Sequence, residues 1–194
     1  MPDVRAGEGA PEDPPREDGP PPIKLGHVVF MNLLMTAVLA FVWRVMGPDN
    51  IVFAAQAAVW SFSLSLLFLP VALALPGRWY GVRRGERWLH RALGVATFGR
   101  LLERSGWNRR VVAPMRGQIV SGGRLQDLLK ATRVSMGIHA LSFLVHLPVA
   151  ALALGTGHPW GAVWLMAPAV LLHLYPVLLQ RMMVLRLRPL LERC

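Results

Sequence analysis

Residues 77–110 read GRWYGVRRGERWLHRALGVATFGRLLERSGWNRR, and this cationic run lies between two pairs of apolar stretches. The first pair is Val28–Met46 and Ile51–Leu75; the second is Ile138–Leu154 and Trp160–Gln180. Crossing a hydrocarbon core of about 30 Å takes roughly 20 helical residues, and each stretch is that long or nearly so. The whole middle, 77–139, holds 13 Arg and Lys against 3 acids. Such an excess beside apolar spans marks a segment kept on the cytoplasmic side. The expected fold class is an all-α integral membrane protein. It has four transmembrane helices in two hairpins and a basic amphipathic-helix cytoplasmic loop.

Composition agrees with this. The 194 residues are 54% hydrophobic, which is too apolar for an ordinary soluble domain of this size. A net charge of +10 also fits nucleic-acid binding. The arginines, however, sit beside spans, where they orient the chain and meet anionic headgroups, so nucleic acid is not an expected partner. The single cysteine, Cys194, is the last residue, so it forms no internal disulfide and no prenylation box.

The expected organisation follows the charge and the helix breakers. Residues 1–25 carry seven Pro and six acids and are expected to be disordered. Residues 26–76 form hairpin 1, 77–137 the basic amphipathic region, 138–181 hairpin 2 and 182–194 a basic tail. A cleaved leader is the poorer reading of the first span, because a second span follows within five residues. The connectors Gly47-Pro48-Asp49-Asn50 and Gly155-Thr156-Gly157-His158-Pro159 contain no Lys or Arg. The long segments therefore share one side. The expected location is the cell membrane, multi-pass, with N and C termini cytoplasmic. The third span holds His146 and Pro148 and is expected to extend a helix that begins near Leu125. Within the loop, 86–104 reads as one amphipathic helix, with Arg87, Arg91, Thr97, Arg100 and Arg104 on the polar face. The stretch 106–124 reads as loop.

Common catalytic signatures are absent. There is no phosphate-cradling G-x-x-x-x-G-K, no G-x-G-x-x-G and no G-x-S-x-G. No Cys/His cluster has metal-ligand spacing, so no metal is expected. No His is followed by Asp at the spacing of the His/Asp box of glycerolipid acyltransferases.

Polar residues at membrane depth are costly and carry the functional argument. His139 and His146 are two turns apart on one helix face, with Ser135 and Ser142 near it. His173, Pro176 and Gln180 form a stripe on the fourth span, ending at Arg181. The two stripes are expected to face each other near the inner leaflet. An imidazole there can serve as a general base. A Gln amide and a guanidinium can hold a carbonyl or a phosphate. The bland alternative is that a bundle histidine bonds a neighbouring carbonyl and a helix-end arginine snorkels. For His139 both readings stand. For His146, His173 and the loop arginines the structural one is preferred.

At these residues the chain resembles the glycosyl-4,4'-diaponeurosporenoate acyltransferase family. The segment 173–187, HLYPVLLQRMMVLRL, is similar to its C-terminal signature at Pro176, Gln180, Arg181, Arg186 and Leu187. The segment 129–139, LKATRVSMGIH, is similar to a Glu-Thr-x-x-x-Glu-x-x-His block at Thr132 and His139. The segment 86–98, ERWLHRALGVATF, matches at Glu86 and at the Leu-Gly-Val of 93–95. The family's two acids of the second block fall at Ala131 and Met136, and its signature Asn falls at His173.

The resemblance implies transfer of a fatty acyl group to a hydroxyl of a glycolipid or glycosylated carotenoid. His139, Gln180 and Glu86 would be catalytic: His139 as base, Gln180 at the acyl carbonyl, Glu86 orienting an imidazole or a sugar hydroxyl. Arg181, Arg133, Arg116 and His173 would bind substrate, the arginines at the phosphates of a carrier such as coenzyme A. No cofactor is expected, acyl-CoA being a substrate. The expected partners are membrane lipids with anionic headgroups and a lipid-linked acceptor, with homo-oligomerisation left open. The other reading is a non-catalytic scaffold or accessory protein of a lipid or pigment pathway, motivated by Ala131 and Met136. A transporter is a weaker third.

Overall fold

The computed structural model describes residues 25–74, 80–113 and 125–191. Among them there are helices and turns and no strand. Helix α1 is Leu25–Met46, α2 Ile51–Leu67 and α3 Leu69–Ala74. A 3₁₀ turn at Arg84–Glu86 leads into α4, Arg87–Ala92, and α5 is Val95–Arg104. Helix α6 runs Leu125–Gly155, and α7, Pro159–Pro168, passes through a π-helical turn, Ala169–Leu174, into α8, Tyr175–Leu191. Three helices are long and apolar enough to cross a membrane: Leu25–Met46, Leu128–Gly155 and the continuous Pro159–Arg186. The expected disordered tail lies outside the described residues except Leu25, which opens α1.

Three expectations change, the first at 106–124, expected as loop, where Asn108–Val112 form a π-helical turn. The stretch Ile51–Leu75 does not form one helix. It divides at Phe68, leaving an α2 of 17 residues, because Pro70 has no N–H to give and its ring crowds the preceding turn. The expected single helix over 86–104 breaks at Leu93–Gly94, where Gly94 takes φ +62 and so leaves the helical region at no steric cost. The break lets α4 and α5 each lie against α8. At Gly99 an added Cβ would sit 3.1 Å from Leu179, so the glycine sets how closely α5 approaches.

Helix ends are closed by local chemistry. Gly157, at φ +83, closes α6 with its N–H on the Leu154 carbonyl and the His158 N–H on that of Ala153, the two bonds of a Schellman motif. Pro159 then starts α7, where its missing N–H costs nothing. Asn50 caps α2 by accepting from the Phe53 N–H at 2.8 Å.

The connectors also clasp each other. Asp49 takes the imidazole of His158 at 2.7 Å on one oxygen and the Gly161 N–H on the other, so a residue of one hairpin caps the helix of the next. Beneath the clasp lies the apolar core: Leu39, Phe53, Ala57, Ala150, Ala153, Ala162 and Leu165. Its small residues bring α2, α6 and α7 close together, the packing that holds helices where lipid competes for apolar surface. The outer faces are apolar: Phe30, Leu33, Phe41, Val59, Leu144, Leu152 and Val163 are all exposed.

Gly161→Ala tests the clasp. Its Cβ would meet Pro48 at 3.0 Å and Asp49 Oδ1 at 3.1 Å. The expected cost is about 1–3 kcal/mol, seen as a lowered thermal midpoint in detergent. Asp49→Ala, which removes only the acceptor, is expected to cost about 1 kcal/mol.

Candidate functional site

Below the apolar core the bundle turns polar inside. Ser61 and Ser65 of α2, Ser142 and His146 of α6 and His173 of the π-helical turn are all at most 3% exposed. Spacing explains how they meet. Ser61 and Ser65 are one turn apart; His139, Ser142 and His146 follow at three and four residues on one face of α6. His173 arrives from α7, where Pro168 cannot continue the ordinary ladder and a wider turn follows.

The contacts form a continuous row. Ser65 Oγ donates to the Ser61 carbonyl at 2.7 Å and meets Ser142 Oγ at 2.9 Å. Ser61 Oγ donates to the Ala58 carbonyl at 2.9 Å and lies 3.4 Å from His173 Nε2. His173 Nδ1 lies 3.5 Å from His139 Nδ1, and His139 also bonds the backbone of Leu172. Each neutral ring of the row keeps one nitrogen without a proton, the state a general base requires. His146 donates through Nδ1 to the Ser142 carbonyl at 2.8 Å, and its buried Nε2 has no partner in the protein. The rings of His146 and His173 lie 5.3 Å apart, and Phe62 covers His139 at 5.9 Å.

One layer further along, Gln180 Nε2 donates to Ser135 Oγ at 2.5 Å, while its Oε1 is buried without a partner. Beyond that, Arg181 grips Glu86 with Nε at 2.8 Å and Nη2 at 2.7 Å, and Nη2 also reaches the Gly81 carbonyl at 3.2 Å. The Arg181 bond holds the Glu86 carboxyl below its ordinary value of 4.5, against a desolvation that would raise it. Tyr175 donates its hydroxyl to the Leu93 carbonyl at 2.8 Å and stacks on Phe98, seating the α4–α5 corner on α8.

The two stripes of polar residues on α6 and on α7–α8 thus touch at two levels, His139 with His173 and Ser135 with Gln180. Glu86 meets Arg181 rather than an imidazole of this row. Arg133 is exposed, and its charge opposes the burial that raises the Tyr80 hydroxyl, so it lies by Tyr80. Arg116 lies outside the described residues. Sequence reading passed over Ser61, Ser65 and Asp49. The signal for the serines was there: Ser61, Ser63 and Ser65 recur at two-residue steps in an apolar run, and 61 and 65 fall one turn apart. Among the described residues no group of three or more His, Cys, Asp and Glu is placed to hold a metal ion.

Apolar helices enclosing hydroxyls and imidazoles, with a cationic lobe at one end, define a helical membrane protein with a polar interior. Residues 76–193 match the family model described as glycosyl-4,4'-diaponeurosporenoate acyltransferase (CrtO), and the chain belongs to that family. No curated protein and no solved structure matches the chain. The matched region begins before α4 and takes in His139, His173, Gln180, Arg181 and Glu86; Ser61 and Ser65 lie outside it. Ala131 and Met136, where the family block carries acids, are both buried on α6.

Glu86→Gln is expected to lower stability at neutral pH by about 1.5–3 kcal/mol, the worth of hydrogen bonds to a charged group. Because the folded-state carboxyl is depressed, the Glu86 contribution is complete above pH 4.5 and fades as pH falls through the lower folded value. Unfolding midpoints of the two proteins should therefore converge in acid; a constant gap would remove the ion pair as its cause.

Proposed function

We propose that this protein is a membrane acyltransferase that moves a fatty acyl group from a thioester donor to a hydroxyl of a glycolipid or glycosylated carotenoid. Family membership supports the acyl-transfer class. The observation that carries the reading for this chain is the His139–His173–Ser61 contact row inside an apolar bundle. Buried imidazoles in series are expensive in such a place, and a neutral one offers an unprotonated nitrogen.

In this reading His139 Nε2 takes the proton of the acceptor hydroxyl as its oxygen attacks the thioester carbonyl. The C–O bond forms, the C–S bond breaks, and the proton passes to the leaving thiolate. His173 and Ser61 steady the imidazolium that forms in between. The second amide hydrogen of Gln180 serves the developing oxyanion. Arg181 has its Nη1 hydrogens left after binding Glu86, so Glu86 acts by aiming that guanidinium. Arg133 and Arg116 extend the positive field toward a donor such as acyl-CoA.

The setting is a four-span bundle in the cell membrane, with α2 and α3 together supplying the second crossing. Both termini and the basic lobe lie in the cytoplasm. The two connectors free of Lys and Arg, and the arginines of 77–139, support that orientation.

The experiment is acyl transfer by the purified protein from labelled acyl-CoA to glycosylated lipid acceptors. His139→Ala is expected to lower turnover about 100-fold or more, the usual worth of a positioned base. Undiminished turnover would remove His139 from the mechanism. Thiol labelling of Arg109→Cys in a Cys194→Ser background, in intact cells and in opened membranes, reads the orientation. Labelling only after opening is expected.

A further inference from the structure

A second polar feature lies outside the imidazole row. Between α4 and α8 is a recess of about 350 Å³ walled by Arg87, Arg91 and Arg186, with His90 at its side and Ala96 and Leu185 as apolar lining. The three arginines are solvent-exposed, and among the described residues no carboxylate pairs with any of them. Glu86, which precedes Arg87, is already committed to Arg181. His90 is only 5% exposed, and its Nε2 is buried with no hydrogen-bond partner in the protein. A buried ring nitrogen beside three unpaired guanidinium groups is an arrangement that lacks an anion.

We propose that this recess binds a phosphate-bearing group. Guanidinium groups meet phosphate oxygens with paired N–H donors, and three of them around one opening suit a doubly charged anion better than a carboxylate. The His90 Nε2 would find its missing partner there. The apolar lining would seat the part of the ligand next to the phosphate. Two sources carry this chemistry at a membrane surface: the phosphates of a soluble acyl donor, and the headgroup of an anionic phospholipid. The choice of the donor rests on the acyl-transfer reading; the phosphate site does not.

The test uses the full-length protein in neutral detergent. It is titrated calorimetrically with adenosine 3',5'-bisphosphate, with short-chain phosphatidylglycerol and with short-chain phosphatidylcholine. At least one of the two anionic probes should bind, and phosphatidylcholine should not. Arg91→Gln and Arg186→Gln should each weaken that binding about tenfold, the worth of a charge-assisted hydrogen bond, with circular dichroism unchanged. Arg104→Gln on α5 should leave it as it was. Preference for the bisphosphate assigns the site to the donor, and preference for phosphatidylglycerol assigns it to a lipid. Absence of binding to both anionic probes overturns the proposal, as does equal binding by the Arg91 and Arg186 variants. Binding that is lost in those variants while His139→Ala transfers acyl groups normally supports the recess and overturns only the proposed base.

Discussion

Polar groups buried among apolar helices must satisfy one another, because no lipid tail will do it. That constraint organises this protein. The contacts between helices, Ser65 with Ser142, Ser61 with His173 and His139 with His173, fit one relative rotation and depth of three helices. A sliding of α6 by one turn would keep the serine bonds made within each helix but part Ser65 from Ser142, His139 from His173 and Gln180 from Ser135. Apolar packing alone would tolerate such a slide far better, since one Ala or Leu replaces another at modest cost. The polar row therefore selects among packings that the apolar surface leaves nearly equal.

The two ends of the bundle use the same device with different residues. At one end Asp49 binds His158 and the first turn of α7. At the other Arg181 binds Glu86 and holds the 3₁₀ turn and α4 against α8. Each is a contact between segments more than 90 residues apart in sequence. Between them the small residues Ala57, Ala153 and Ala162 let the helix backbones approach, so the hairpins are joined at the top, through the middle and at the base.

Much of this was legible in the chain. Apolar length, the helix-breaking connectors and the arginine excess give the helical architecture directly, because each reflects a one-dimensional property of the sequence. The expected helix from near Leu125 is the one that α6 forms. The facing of His139 with His173, and of Ser135 with Gln180, came from residues spaced by whole turns. What escaped depended on three-dimensional context. The division at Phe68 turns on Pro70, whose effect a continuous apolar run conceals. Gly94 looked like one small residue in an amphipathic pattern and proved to be a corner. The partner of Glu86 lies 95 residues away, and no local pattern selects Arg181 over a histidine. Ser61 and Ser65 were hidden by a mean hydropathy that the three hydroxyls of the run barely alter.

The length of α6 has a consequence for depth. Its 31 residues extend about 46 Å at 1.5 Å per residue, some 16 Å more than a hydrocarbon slab. With Gly155 at one edge of the slab, roughly 20 residues bring the helix to the other edge at about Ser135. The Ser135–Gln180 layer then lies level with the headgroups, and His139 sits a single turn beneath it. The helix works as a ruler. It sets the imidazole row just inside the oil and the Gln180 layer at the oil's edge.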